Sequence, residues 1–130
     1  MGQAQPIRRT ALIVEDDADL RWLTATLFEE SEFDVIECES AEAGLATMLL
    51  RGPDVAIIFA DIRLSGVMDG VDLAREAKKR WPHVTVIVTS GNPGERLKAL
   101  PPNVRYMQKP WQPLNVLMAA ERARTAARGR

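Results

Sequence analysis

The run Val55-Ala56-Ile57-Ile58-Phe59-Ala60-Asp61-Ile62-Arg63-Leu64, set between Gly52-Pro53 and Ser65-Gly66, constrains this chain more than any other stretch. An uninterrupted apolar segment this short reads as a strand covered on both faces, and such strands belong to parallel sheets with helices packed on either side. The segment also carries one carboxylate, Asp61. A lone Asp in such a place is more often a cap or turn residue than a reactive group. Its meaning depends on what the other strand ends supply.

Strand and helix signals alternate along the chain. Ala11-Leu12-Ile13-Val14 is a short apolar run, followed by the acidic cluster Glu15-Asp16-Asp17 and by Leu20, Leu23, Leu27 and Phe28 at helical spacing. Phe33-Asp34-Val35-Ile36 is a weaker strand, and Ser40 suits the cap of a second helix with Ala41, Leu45, Met48 and Leu49 turned inward until Gly52-Pro53 stops it. After the central strand, Asp69-Gly70 opens a third helix with Val71, Ala74, Ala77 and Trp81 recurring every three or four residues, and Pro82 ends it. Val84-Thr85-Val86-Ile87-Val88 is a β-branched strand. Residues 92–100 have helical potential squeezed between Pro93-Gly94 and Pro101-Pro102, which predicts a helix of about two turns. Val104-Arg105-Tyr106-Met107 is a fifth strand. A last helix starts at Pro113, a residue suited to the first helical position, and passes through Leu114, Leu117 and Met118 toward an arginine-rich end.

Five strands alternating with helices define an α/β fold, a parallel sheet doubly wound by helices on both faces. With 130 residues there is material for a single core, and no internal repeat or linker divides it. The expected organisation is a disordered lead over 1–9, a domain over 10–126 and a frayed basic tail over 127–130, with no output domain. A composition of 46% hydrophobic and 27% charged residues with a net charge of -1 argues against a general nucleic-acid or membrane-surface binder. The single cysteine, Cys38, forms no internal disulfide and reads as a small strand-end residue. No targeting segment and no run of roughly 18 apolar residues is visible, so the expected location is cytoplasmic.

In doubly wound sheets ligands sit beyond the carboxyl ends of the strands. Those ends carry Glu15-Asp16, Asp61, Thr89-Ser90 and Lys109-Pro110. Carboxylates gathered at one edge repel unless a cation neutralises them, and a hard divalent ion with oxygen ligands such as Mg²⁺ fits best. Asp61 then suits the role of a carboxylate nucleophile toward phosphorus. Lys109 and the Thr89 hydroxyl are placed to contact the transferred phosphoryl oxygens.

These residues carry a resemblance. Leu12-Ile13-Val14-Glu15-Asp16-Asp17, Asp61 with Ile62-Arg63, Met68-Asp69-Gly70, Thr89-Ser90-Gly91 and Tyr106-Met107-Gln108-Lys109-Pro110 occur in the order found in response-regulator receiver domains. The chain resembles that family, the phosphoacceptor half of two-component signalling, from about residue 10 to about residue 125. The resemblance implies a flavodoxin-like sheet of order 2-1-3-4-5, as in chemotaxis regulators. It implies that Asp61 accepts a phosphoryl group from a phosphohistidine on a sensor histidine kinase or histidine phosphotransfer protein. Mg²⁺, or another divalent cation such as Mn²⁺, would be held by Asp16, Asp61 and the backbone carbonyl of Arg63, with Glu15 acting through water. Thr89 is then the switch hydroxyl, Tyr106 the switch aromatic and Lys109 the phosphate-binding ammonium, followed by a cis bond to Pro110. The implied protein is a stand-alone regulator, not an enzyme, that assists its own phosphoryl transfer and dephosphorylation. It signals to an unknown downstream protein, as a monomer or weak homodimer.

Two departures stand out. One is the loop after Asp61, where Ser65 replaces the usual Pro and Gly66-Val67-Met68-Asp69-Gly70 holds one residue more than the commonest form; the other is the short fourth helix. Other readings compete. The acidic cluster alone suits the positive end of a helix, Thr89 alone suits a strand, Tyr106 alone suits a sheet edge, and Arg122, Arg124, Arg128 and Arg130 suit a helix C-terminus and solvent. Trp22 and Trp111 read either as packing residues or as a rim that docks the partner. A haloacid-dehalogenase-like phosphohydrolase would need an acid two residues after Asp61, where Arg63 stands. A dinucleotide-binding domain needs glycines where Glu15-Asp16-Asp17 lies. A receiver-like module that is never phosphorylated would not need the full set of Asp61, Thr89 and Lys109.

Overall fold

The computed structural model describes residues 9–128. Five strands, β1 (Thr10–Val14), β2 (Asp34–Cys38), β3 (Val55–Asp61), β4 (Thr85–Ser90) and β5 (Arg105–Gln108), form one sheet in the order β2-β1-β3-β4-β5. All four pairings are parallel. Helices α1 (Ala18–Glu30), α2 (Ala41–Arg51) and α3 (Gly70–Arg80) make the first three crossovers, a 3₁₀ helix at Gly94–Ala99 lies in the connection from β4 to β5, and α4 (Pro113–Arg128) follows β5. The expected sheet order is the observed one.

The central strand shows why its sequence is apolar throughout. Ile58, Ala60 and Ile62 face a core layer built with Ala41 and Met48 of α2 and Val71, Leu73, Ala74 and Ala77 of α3. Ile57 and Phe59 face the opposite layer, with Leu27 and Phe28 of α1 and Val116, Ala120 and Ala123 of α4. Alternate side chains of a strand point to opposite faces, so a strand covered twice has no position left for a polar residue until its end.

Helix starts follow their side chains. Asp17, Ser40 and Asp69 accept from the backbone N–H of Leu20, Ala43 and Asp72, and Asp72 returns the bond to the Asp69 N–H to complete a capping box. Cys38 is buried at the end of β2.

Four expectations are corrected. Leu49 is 59% exposed, and the inward place on α2 goes to Gly44, which faces Val14 and Leu73. The segment expected as a two-turn helix is a 3₁₀ helix, because Pro93 and Pro101 leave too few donors for an α-helical ladder. The last helix does not fray at 127: Ala127 is fully buried in the α1–α4 layer and the helix continues to Arg128. Arg124 does not trail into solvent, since it pairs with Glu121 and reaches Glu32 beyond the end of α1. The expected disordered lead, apart from Arg9, and the end of the tail, including Arg130, lie outside the described residues.

Candidate functional site

Strand register brings the site together. β3 and β4 pair with Asp61 opposite Thr89, and β4 and β5 pair with Ser90 opposite Gln108, so Lys109 leaves the sheet beside them. The Lys109 N–H donates to the Ser90 carbonyl, which fixes where its side chain starts, and the Lys109-Pro110 bond is cis. On the other side, β1 ends at Val14, and the Glu15 N–H donates to Cys38 at the end of β2.

The side chains converge on one point. Lys109 Nζ lies 2.8 Å from Asp61 Oδ2 and 3.1 Å from Glu15 Oε1. Ligand atoms of Glu15, Asp16 and Asp61 lie within 4.8 Å of one another. Glu15 and Asp61 are buried, whereas Asp16 is exposed and opens the cluster to solvent. The second oxygen of each buried acid is held by backbone: the Arg63 N–H donates to Asp61 Oδ1 at 3.0 Å and the Asp17 N–H to Glu15 Oε2 at 3.1 Å.

Electrostatics follow from this packing. Burial, reinforced by the charge of Asp61, pushes the Glu15 carboxyl up to about 7 against the lowering pull of the Asp17 N–H and Lys109. Burial alone would depress the Lys109 ammonium, but the Asp61 and Glu15 carboxylates more than offset it and raise its pKa. One ammonium therefore serves two buried acids. Three hard oxygen donors, two of them buried and one open to solvent, suit a divalent cation of the Mg²⁺ type.

Thr89 is 1% exposed and its hydroxyl has no hydrogen-bond partner among the described residues. A buried hydroxyl left unpaired is costly, and it lies opposite Asp61 in the register. Tyr106 is placed one residue earlier in the sheet, opposite Val88, and its hydroxyl lies 2.6 Å from both the Ser90 carbonyl and Gln108 Oε1. It therefore contacts the segment after Thr89 and not the carboxylates. The Arg63 side chain turns away from the acids and donates twice to the Asn92 carbonyl, at 3.1 and 2.8 Å.

Several residues at the site have no signal in the sequence. Arg21 of α1 donates to the Glu15 carbonyl at 2.8 Å and stands beside Glu37 and Glu39. Glu42 accepts from the loop after Asp61. Arg96 binds Asp69 and Asp72 at the start of α3 with contacts of 2.8–3.0 Å. Apart from the Arg21–Glu15 bond, these contacts are made by long side chains reaching between elements far apart in sequence, which no local spacing reports.

A groove of about 450 Å³ opens beside the acids, lined by Leu20, Leu23, Lys109, Pro110, Trp111 and Pro113. Trp111 packs edge-on against Phe59 with ring centres 6.0 Å apart, so it is both a core residue and a groove wall. Trp22 is 65% exposed.

A doubly wound sheet that gathers acids, a hydroxyl and an ammonium at its carboxyl edge defines a class of α/β protein whose site belongs to the strand ends. Residues 11–121 match the family model described as the response regulator receiver domain, and the chain belongs to that family. Over 118 residues it is 31% identical to the hydrogenase transcriptional regulatory protein HoxA of Cupriavidus necator, covering 88% of this chain and 24% of that protein. It is also 31% identical over 117 residues to the nitrogen assimilation regulatory protein NtrX of Azorhizobium caulinodans, covering 86% of this chain and 25% of that one. The chain thus spans about a quarter of the length of these curated relatives. In fold it is similar to a CheY-like receiver domain protein from Methanospirillum hungatei, with a TM-score of 0.78 at 24% identity, over 95% of this chain and 99% of that one. Receiver domains are regulatory phosphoacceptors and not enzymes in the ordinary sense; they usually bind Mg²⁺ at an acidic pocket and interact with histidine kinases and downstream targets. Among the described residues, no helix is long and apolar enough to cross a membrane.

Proposed function

We propose that this chain is a phosphoacceptor switch in which Asp61 takes a phosphoryl group from a phosphohistidine of a sensor histidine kinase or a histidine phosphotransfer protein. The observation that carries this reading is the convergence of Lys109 on Asp61 and Glu15 beside the Thr89 hydroxyl, which has no hydrogen-bond partner among the described residues. An oxygen of Asp61 attacks phosphorus in line. The bond from phosphorus to the donor imidazole breaks, its electron pair returns to the ring, and an acyl phosphate remains on Asp61. Glu15, Asp16, Asp61 and the Arg63 carbonyl would hold Mg²⁺ or a similar cation, which supplies neutralising charge for the phosphoryl oxygens.

The remaining work falls to this chain's own groups. The Arg63 N–H orients the attacking carboxylate through Oδ1. Lys109 exchanges a carboxylate contact for a phosphoryl oxygen, so its charge stays compensated throughout. The Thr89 hydroxyl gains the partner that it lacks among the described residues of the unmodified protein. Its movement reaches the segment after Thr89, which Arg63 holds at Asn92 and Tyr106 holds at Ser90. Phosphorylation adds about -1.5 to -2 charge at Asp61 and biases that segment between two arrangements. The state is read out through protein contacts. The groove beside Lys109, with exposed Trp22 on the neighbouring helix face, suits the phosphodonor as an aromatic anchor.

The test is incubation with Mg²⁺ and a small acyl-phosphate donor, followed by intact mass and acid-labile phosphate. The wild type should gain one adduct that depends on Mg²⁺, and Asp61→Asn should gain none. An equal adduct in the variant would remove the proposal.

A further inference from the structure

The loop from Ile62 to Asp69 carries the Arg63 backbone that orients Asp61, yet its tip has no apolar anchor. Val67 is 96% exposed, and Ser65 and Gly66 are exposed as well. Beyond the buried Ile62 at its start, Leu64 and Met68 pack against the core from the two sides of the loop. The tip is held by a carboxylate from another element. Glu42, in the first turn of α2, accepts the Val67 N–H at 2.9 Å and the Met68 N–H at 3.0 Å through the same oxygen.

The loop conformation is matched to that carboxylate. Gly66 has φ of 107°, a region that side-chain-bearing residues rarely adopt, and a Cβ there would stand 2.9 Å from both Glu42 carboxylate oxygens. The carboxylate occupies space that only glycine leaves open. At the base of the loop the Gly70 N–H donates to the Ile62 carbonyl at 3.0 Å, and Gly70 lies so close to the Asp61 carbonyl that a side chain would collide with it. On the far side Arg63 reaches the Asn92 carbonyl. Glu42 is therefore the tie at the tip of a loop whose other ties sit at its base and flank.

We infer that Glu42 is a positioning residue for the phosphoryl-transfer site, fixing the loop path and, through it, the Arg63 N–H on Asp61 and the Arg63 carbonyl offered to the cation. The inference rests on the phosphoacceptor reading above. It also accounts for the extra residue in this loop: Gly66 and Val67 bulge outward, and Glu42 supplies acceptors for N–H groups that the bulge would otherwise leave to water.

Three variants of the full chain test it: Glu42→Ala, Glu42→Gln and Gly66→Ala. A glutamine carbonyl accepts the same two bonds, whereas alanine accepts none. The readouts are the amide ¹H–¹⁵N shifts of Arg63, Val67 and Met68 without metal, the Mg²⁺ affinity by calorimetry, and the urea unfolding midpoint. Glu42→Ala and Gly66→Ala should shift all three amides and weaken Mg²⁺ binding about tenfold, while Glu42→Gln stays within about twofold of wild type. The urea midpoint of Glu42→Ala should stay near wild type, which separates positioning from folding. An unchanged Arg63 amide with unchanged Mg²⁺ affinity in Glu42→Ala would overturn the inference alone. A wild type that takes no phosphoryl group would instead overturn the acceptor reading.

Discussion

Lys109 Nζ stands 2.8 Å from Asp61 Oδ2 and 3.1 Å from Glu15 Oε1, so a single ammonium holds together two acids that would otherwise repel across a buried edge. Replacing it by methionine keeps an unbranched side chain one atom shorter and removes the charge. Removing one partner of a largely buried pair leaves the others uncompensated. Lys109 itself is partly solvated, so the loss of stability in Lys109→Met should be about 1–3 kcal/mol in urea melts, with phosphorylation by a small donor slowed about a hundredfold. A rate within a few-fold of wild type would show that the ammonium has no part in transfer.

Thr89 makes the opposite prediction for stability. Its buried hydroxyl lacks a partner among the described residues, so Thr89→Val, which keeps the shape, should leave the unmodified protein as stable as wild type or more stable by about 1 kcal/mol. The same variant should lose the chemical-shift changes that phosphorylation produces in residues 90–100. A marked drop in melting temperature would mean that the hydroxyl is satisfied in the resting protein.

The Asp69–Arg96 pair contributes a pH dependence at the acid end. Burial would raise the Asp69 carboxyl, but the Arg96 hydrogen bond, the Asp72 N–H and the Arg96 charge more than offset this and lower it below the ordinary 3.8. A depressed carboxyl stabilises the fold above its unfolded pKa, and that contribution is lost as pH falls through the folded value. Urea midpoints of the wild type should therefore fall more steeply below about pH 4 than those of Asp69→Asn, which keeps the helix cap but not the charge. Parallel curves would show the pair to be energetically silent.

Trp22 separates donor docking from chemistry. Being 65% exposed, it should cost no measurable stability when changed to alanine, and phosphorylation by a small donor should not change. Transfer from a phosphohistidine donor should fall about tenfold or more if the indole anchors the interface. Equal loss with both donors would place Trp22 in the chemistry or the fold instead.

Much of this was legible in the sequence because strands buried on both faces announce themselves and end where polar residues resume. Asp61 and Thr89 follow from that rule, whereas Lys109 follows an edge strand of mixed burial and is marked only as the cation at its end; the register then sets them side by side. Tyr106 was legible as a residue but not by its contact, since its hydroxyl bonds the Ser90 carbonyl. Leu49 misled because helical spacing admits it beside Met48, but Gly44 brings α2 close to the sheet along a different line, which buries Ala41, Gly44 and Met48 and leaves Leu49 and Leu50 exposed. Arg21, Glu42 and Arg96 were not legible at all. Their roles lie in bonds to backbone or acids that only the folded chain brings near.

The central claim is that phosphorus becomes bonded to Asp61, and borohydride trapping reads it most directly. Reduction of an aspartyl phosphate leaves homoserine, which peptide mass spectrometry locates. After exposure to a phosphodonor with Mg²⁺, homoserine should appear at position 61 and at no other aspartate. Homoserine elsewhere, at Asp16 or Asp69 for example, or none at 61 while acid-labile phosphate is present, would contradict the account.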